Sequence, residues 1–492
     1  MNLRSLIIPS LATLAAPTIA DTIGGIKDDR RPDISFLEEQ MSDFMNSNNL
    51  EARVRLAEFH RENKKSLNSF GVKEKRKDEG ATALGVQINF QSGWYADAVG
   101  FDASLFTVGN LNSPYDRTRD LLLVTGSGNK TGFSKLAQAY VKAKYSLEDG
   151  QDPLISFRGG RERIYTGLIA GSGSRAIPSA WQGIDVKGGY GGLSYGFAWV
   201  DQISLRSSSN FEDLKSFKKK GTPEGKNLDG TNATTDTSQA EKIDYAWGIE
   251  LDYDIMGLSL KYRDSHAKDF LYTYNLDASY KFDISPGLAL TFNAKYYKEK
   301  EDGELWTSYV WGSPAFNNDA DLTHFNVTAD IGNLMLIAGY SKTKASYKDS
   351  SGNKRLGVYY YDFGPNTHGG FDIPTSMLIG DFLYDDEKAW IVGAGYNFKD
   401  IVPGLTAEVF YTKGDNFKDG RHSENLEEYE TDLDIKYKFQ TPALDGLSFR
   451  FRYGIYRPDG RKANSANNGL GADFSRGRDD YRIYLDYRAK VF

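Results

Sequence analysis

Alternation with a period of two residues, sustained through segment after segment, most limits what this chain can become. In "KIDYAWGIELDY", Ile243, Tyr245, Trp247, Ile249, Leu251 and Tyr253 are separated by Asp244, Ala246, Gly248, Glu250 and Asp252. "GLALTFNAKY" and "DLDIKYKF" repeat the pattern, the latter setting Leu433, Ile435, Tyr437 and Phe439 against Asp434, Lys436 and Lys438. Successive side chains of a strand point to opposite faces, so each segment has one apolar and one wet face. Roughly eighteen such segments recur, joined alternately by short turns and long polar stretches, which is the pattern of a transmembrane antiparallel β-barrel. They begin near Arg53, Ala83, Tyr95, Leu136, Leu154, Gly183, Leu193, Lys242, Leu258, Leu271, Leu288, Leu322, Leu334, Ala389, Leu405, Asp432, Leu447 and Tyr481. Short turns include "MGL" at 256 and "SPGL" at 285; the long polar stretches include 205–240, 346–385 and 457–478.

A secreted sandwich or propeller would also give strands with one apolar face, packed inward. Two properties favour the barrel: the wet faces are densely charged, and the apolar faces end in Tyr, Phe and Trp, as an interfacial girdle requires. Aromatics make up 13 % of the chain, which fits many short tyrosine-rich strands and not a Leu/Ala helical core. No repeat of 40 to 50 residues marks propeller blades. The N-terminal "MNLRSLIIPSLATLAAPTIAD" reads as a signal peptide over 1–20, cut after Ala20. Beyond it, no run reaches the roughly 18 to 20 apolar residues of a membrane helix. Residues 21–49 form a predicted periplasmic extension, partly helical, since Ile34, Phe36, Leu37, Met41, Phe44 and Met45 fall at helical spacing behind Pro32 and Asp33. The barrel is predicted over 50–492.

"GLSFRFRYGIY" (446–456) shows what the alternation means for function. Leu447, Phe449, Phe451, Tyr453 and Ile455 would face lipid, and Ser448, Arg450, Arg452 and Gly454 the lumen. An arginine near the bilayer midplane costs roughly 2–4 kcal/mol on the lipid face, whereas in a wet lumen it stays hydrated and sets charge selectivity. The same parity turns Lys436, Lys438, Arg482, Arg158, Arg53 and Arg55 inward. First and last strands adjoin when a sheet closes, so most of these form a basic arc, predicted to face Asp244, Glu250, Asp252 and Asp277 on the middle strands. Glu58 lands on the lipid face, which predicts a bulge or an early strand end there.

Four stretches resemble the OprD/chitoporin family of substrate-selective outer-membrane porins. "INFQSGWYADAVGFDAS" (88–104) is similar to its second and third strands, "SRAIPSAWQG" (174–183) to its inward-loop motif, and "DDYRIYLDYRAKVF" to its closing strand; "ASYKFDI" (278–284) resembles a chitoporin segment. The resemblance implies an 18-stranded pore in the outer membrane of a Gram-negative bacterium, as a monomer or loose homotrimer, narrowed by a loop and lined by a basic row. On matching positions that row is Arg55, Arg61, Arg158, Lys436, Arg450, Arg452 and Arg482. The constriction loop is 164–182, with Ser174, Arg175, Pro178 and Trp181 on the motif. The closing strand departs from the family in carrying Arg488 where Pro is common.

Other classes find little support. There is no cysteine, and the five histidines lack metal-ligand spacing. No GxSxG elbow occurs, so no enzyme, cofactor or metal is expected. A net charge of −7 gives no nucleic-acid footprint. An adhesin or structural barrel binding a partner through its long loops is the alternative; "VYYYDFGPNTHGGF" (358–371) could offer aromatics to a sugar. The expected partners are small solutes, outer-membrane lipid and lipopolysaccharide, and the barrel-assembly machinery at Phe492. The basic row favours carboxylated solutes such as amino acids or organic acids; the aromatic load and chitoporin-like segments favour chitooligosaccharides.

Overall fold

The computed structural model describes residues 48–492 except 68–72, 76, 126, 147–152, 220–239, 307–308, 311–312, 349–351, 364–369, 419–424 and 459–476. The expected signal peptide, the helix predicted at 33–45 and nearly all of the 21–49 extension lie outside the described residues.

Each alternating segment forms one strand. In order these are β1 (Asn49–Asn63), β2 (Glu79–Gln91), β3 (Val99–Asn112), β4 (Phe133–Tyr145), β5 (Ile155–Glu162) and β6 (Ala180–Tyr190). Then come β7 (Leu193–Ser204), β8 (Ala246–Ile255), β9 (Leu258–Ala267), β10 (Leu271–Ser285), β11 (Leu288–Glu301) and β12 (Asp319–Ile331). The last six are β13 (Leu334–Lys344), β14 (Lys388–Asn397), β15 (Leu405–Phe417), β16 (Leu426–Lys438), β17 (Leu447–Pro458) and β18 (Arg478–Lys490). Chain neighbours pair antiparallel throughout, and β18 returns to β1 in unbroken register from Glu51 opposite Lys490 to Asn63 opposite Arg478. The sheet therefore closes and has no edge. A hairpin of Glu212–Lys219 and Ala240–Ile243, in the loop after β7, adds to its rim and brings the strand count of the sheet to 20. Among the described residues no helix is long and apolar enough to cross a membrane; this barrel crosses with strands.

Burial runs opposite to that of a soluble protein. Leu136, Val141, Leu276 and Val409 point outward and are 48, 54, 48 and 47 % exposed, while inward-facing Arg452, Asp480 and Glu430 are 2, 0 and 0 % exposed. Among the described residues nothing packs over the apolar rows, which does not fit a sandwich, and hydrocarbon is the solvent that suits them. Aromatic pairs band both ends of this surface: Trp199 with Tyr245 and Trp390 with Tyr411 at the loop end, Tyr396 with Phe398 and Tyr437 with Phe439 at the turn end. The β8–β9 turn shows how tightly the turn end is closed. Met256 and Gly257 both take positive φ, 48° and 83°, the mirror-image geometry that follows the strand twist.

Glu58 departs from expectation. No bulge interrupts β1, which stays in register with both neighbours to its external end. Glu58 keeps its outward parity, with the Tyr481 hydroxyl 3.5 Å away and His60 stacked on Tyr481. At the level of the outer girdle a carboxylate reaches the headgroup region, so the strand has no need to break.

Candidate functional site

The outer half of the lumen is filled by loops that fold in and attach to the polar inner faces. Segment 163–179, between β5 and β6, makes a small hairpin (Tyr165 opposite Ala170) and crosses to the β8–β9 wall, where the Leu168 amide donates to Ser265 Oγ at 2.9 Å. It then returns to β1, β2 and β18. Arg55 Nη1 donates to the carbonyls of Gly173 (2.8 Å) and Arg175 (3.0 Å), and the Tyr484 hydroxyl donates to the Ser174 carbonyl (3.2 Å). Gly85 on β2 makes this seat possible, because a Cβ there would lie 2.1 Å from the Ala176 carbonyl oxygen.

The predicted motif residues fall in this loop, with roles that differ among them. Ser174 is half-buried at its tip. Arg175 is buried, donating from Nε to the Arg119 carbonyl at 2.6 Å and lying over the Phe59 ring at 5.0 Å. Burial, followed by the nearby Arg206 and Arg482, lowers its guanidinium well below the ordinary value. Pro178 is also buried. Trp181 belongs to β6, not to the loop, and is fully covered in an apolar cluster with Ile164, Leu168 and Val200. Trp181 therefore lies behind the loop among apolar residues and Pro178 is buried as well, so neither is open to the passage.

A second inward loop, described over 356–363 and 370–387 between β13 and β14, falls in the stretch 346–385 that the sequence marks as long, polar and external, with aromatics at 358–371 that could meet a sugar. Its first part packs Tyr360 and Phe363 into an aromatic cluster with Trp306, Phe316 and Phe270. The Gly370 amide donates to the Leu168 carbonyl (2.7 Å), tying the two loops together. Lys295 Nζ and the Tyr297 hydroxyl both reach the Asp372 carbonyl, at 3.1 and 3.0 Å. The tip sits on β16: the Leu378 amide donates to Asp432 (2.8 Å), and the Ile379 and Gly380 amides to the two oxygens of Glu430 (2.8 and 2.7 Å). Arg482 Nη2 holds the Leu378 carbonyl at 2.9 Å. The run "TSMLIGDFLY" (375–384) was the available signal, being apolar where an outer loop should be wet.

The basic row lies on the inner wall with carboxylates interleaved. Arg450 forks onto Asp434 (Nη2–Oδ2 2.6 Å), which also meets Arg452 at 3.4 Å. Arg61 and Arg482 share Asp480, at 2.7 and 3.4 Å, and Arg55 pairs with Asp486 at 2.8 Å. Arg158 pairs with Asp185 and with Glu162 (3.1 Å). Lys436 and Lys438 continue the inward face of β16 toward the turn end, Lys436 half-buried and Lys438 exposed. On β1 and β16–β18 the turn half of the wall carries Arg53, Lys436, Lys438, Arg450, Arg488 and Lys490 against Glu51, Asp434 and Asp486. The loop half carries Arg61, Arg452, Arg478 and Arg482 with Glu428, Glu430, Asp432 and Asp480, and the loop tip covers Glu430 and Asp432.

The expected acidic wall has a different form. Glu250 pairs with Arg263 (2.8 Å), Asp252 with Lys261 (3.4 Å) and Asp277 with Lys295 (3.2 Å), so this side presents ion pairs. Asp244 precedes β8 on the exposed rim, held by Lys268 at 2.6 Å. Strand register places opposite charges side by side on neighbouring strands, and along the basic arc Arg61, Arg452, Arg478 and Arg482 of the loop half are buried while Lys438, Arg488 and Lys490 of the turn half are exposed. Among the described residues no group of three or more His, Asp or Glu is placed to hold a metal ion.

With this geometry in hand, likeness to known proteins is informative. The family model described as outer membrane porin, OprD family, matches residues 42–491. Porin D of Pseudomonas aeruginosa is 23 % identical over 442 residues, 83 % of this chain and 85 % of that protein. Chitoporin of Escherichia coli K12 is 23 % identical over 411 residues, 75 % of this chain and 77 % of its own length. Among solved structures, Acinetobacter baumannii OccAB1 superposes with a TM-score of 0.72 at 15 % identity, covering 92 % of this chain and 99 % of that one. Pseudomonas aeruginosa OpdK, solved with vanillate, gives 0.68 at 19 % identity over 91 % of this chain and all of its own (100 %). At these identities the structures speak for the fold alone.

Proposed function

The chain belongs to the outer membrane porin, OprD family, and on that premise we propose that it passes small carboxylated solutes, such as amino acids or organic acids, by passive selective diffusion. The observation that carries this reading is the turn half of the basic arc, where six inward Lys and Arg side chains on β1 and β16–β18 meet three carboxylates. An excess of fixed positive charge in a narrow low-dielectric channel draws anions through. The relative solved with vanillate, itself a carboxylate, agrees with this choice. The covered aromatics of 358–371 count against the sugar-binding and adhesin alternatives, since Tyr359, Tyr360, Phe363 and Phe371 are packed inside. Lipid and lipopolysaccharide would surround the girdles, and Phe492 would serve barrel assembly.

Liposome swelling tests the reading. Proteoliposomes should admit amino acids and organic acids faster than neutral sugars of matched mass or chitooligosaccharides. Equal or faster entry of the neutral solutes would overturn it.

A further inference from the structure

Not all charge on the strands faces the lumen. The parity that turns Phe325, Tyr340 and Trp390 outward, 48, 43 and 38 % exposed, also turns out Lys300 on β11, Lys342 and Lys344 on β13, and Lys388 on β14. These lysines stand at the loop end. Tyr340 lies opposite Trp390 in the outer girdle, and the next outward pair toward the loops is Lys342 opposite Lys388. Two residues of strand rise about 7 Å, which lifts the ammonium groups from the level of the rings to that of lipid headgroups.

Other outward charges on this rim have partners. Lys64 and Arg457 both meet Asp479, at 2.6 and 2.7 Å, Lys413 meets Glu427 at 3.0 Å, and Lys298 meets Asp319 and Asp321. Among the described residues, Lys300, Lys342, Lys344 and Lys388 form no ion pair. Register sets Asp321 opposite Lys344, but Lys298 and the Tyr296 hydroxyl already hold that carboxylate. Asp386 is held by Lys354 at 3.2 Å. Asp415, opposite Lys388, offsets one charge and leaves the group positive. Like charges directly opposite on neighbouring strands repel, so Lys342 beside Lys388 is unfavourable until an anion lies between them.

We propose that Lys342, Lys344 and Lys388 hold a phosphate of an outer-leaflet glycolipid against the outside of β13 and β14, with Lys300 and the exposed Thr323 on its flank. The proposal rests on the outer-membrane reading and is independent of the solute carried. Each ammonium offers three donors to phosphate oxygens, and a phosphate between Lys342 and Lys388 turns their repulsion into attraction. Position selects a lipid as the occupant. Its phosphate arrives at the height of the girdle while its chains lie on the outward row of Leu336, Val392 and Phe325, each more than two-fifths exposed. From Lys300 to Lys388 the row crosses three strand spacings, about 14 Å. That width exceeds one phosphodiester and suits a glycolipid with two phosphates, its sugars over the Trp390 and Tyr411 rings, whose centroids are 5.3 Å apart.

Native mass spectrometry of the protein in mild detergent counts bound lipid. Bisphosphorylated lipid A should bind more tightly than its dephosphorylated form. The triple variant Lys342→Gln, Lys344→Gln, Lys388→Gln should weaken that binding roughly 100-fold, about fivefold for each ammonium. Lys342→Gln alone should cost about fivefold, which keeps the test available if the triple variant does not fold. A charge-matched control, Lys77→Gln, Lys268→Gln, Lys399→Gln, should bind like the unaltered protein. Undiminished binding by the folded variants, or equal binding of the dephosphorylated lipid, would overturn the proposal. Phosphatidylglycerol held as tightly would overturn the choice of a glycolipid, and loss of binding on chelating Mg²⁺ would replace direct ammonium contact by a bridging cation at Asp415. In lipid-free detergent Lys342→Gln should hold or raise the thermal midpoint, and a fall would refute the claim that the facing lysines repel. Lipid counting reads the outer wall alone, so its failure and a failure of solute flux are distinguishable.

Discussion

Arg55→Met is the sharpest test of how the lumen is narrowed. Arg55 is 5 % exposed and donates to Asp486 and to the loop carbonyls of Gly173 and Arg175. Methionine keeps much of the volume and removes every donor. Asp486 retains Arg53 at 3.0 Å, so the wall keeps its ion pair and the loss falls on the loop. Hydrogen bonds from a charged donor are worth about 1.5–3 kcal/mol each. Gly173 is half-buried and partly regains water, so about 2–4 kcal/mol of anchoring should disappear. That is roughly a 30- to 1,000-fold change in the ratio of seated to displaced loop. The Tyr484 and Arg119 contacts and the Gly85 seat remain, so the loop should visit displaced positions without leaving altogether. Planar-bilayer recordings should show added, larger conductance levels, with the barrel's folding checked by heat-modifiable gel mobility. Arg55→Lys should fall between, since an ammonium can reach one partner but lacks the fork. Identical steps and noise in folded Arg55→Met would refute the claim that this guanidinium holds the loop.

Three further outcomes follow from the same geometry. Gly85→Val drives side-chain carbon into the Ala176 carbonyl and should cost about 1–3 kcal/mol of overpacking; it should lower the thermal midpoint or widen the pore, and wild-type behaviour in both would count against the seat. Arg450→Gln should shift the reversal potential in a salt gradient toward cations, because Asp434 then loses its closest partner; unchanged selectivity would remove Arg450 from the conducting path. In loop 113–122, partial burial of Asp120 favours its neutral form, but Arg206, Arg175 and Arg119 outweigh that and hold its carboxyl below the ordinary range. Its contribution is therefore complete above the ordinary aspartate value of about 3.9 and is lost only as pH falls through the lower folded value. Proteolysis of this loop should be the same at pH 7 and pH 5 and faster in Asp120→Asn, and loosening of the unaltered loop at pH 5 would refute the sign.

Strand number and facing were legible in the sequence because the information is local. Whether a residue meets lipid or water changes at every step along a strand, so Arg450 and Phe451 declare their sides within two positions. Even Glu58 was placed on the correct side; what the pattern lacked was the height at which hydrocarbon gives way to headgroups. Partners were not legible. Asp434 was visibly on the wet face, but its contacts with Arg450 and Arg452 depend on the register of β16 against β17, where Asp434 lies opposite Arg452. The inward path of 370–387 was less legible still, since it rests on contacts such as Arg482 to Leu378, 104 residues apart.

Those distant contacts explain why the loops can fold inward at all. A loop entering the barrel must find partners for its backbone amides and carbonyls, or bear a desolvation cost of about 1–3 kcal/mol for each group left bare. The inner wall supplies both kinds at matching places: Arg55 and Arg482 take carbonyls of the two loops, and Glu430 and Asp432 take amides of the second. The alternation that hydrates the lumen therefore also makes it able to bind backbone. In the loop half that capacity is occupied by the protein's own chain, so Arg452 and Arg482 are buried and act on position rather than directly on solutes. In the turn half no described loop descends, and on the proposed reading Arg53, Lys436, Lys438 and Arg450, with their carboxylate partners, would meet whatever passes the constriction. On that reading, selectivity by charge and selectivity by size would be separated along one continuous row, and substitutions in Arg55 and Arg450 should alter different properties although both residues face the same lumen.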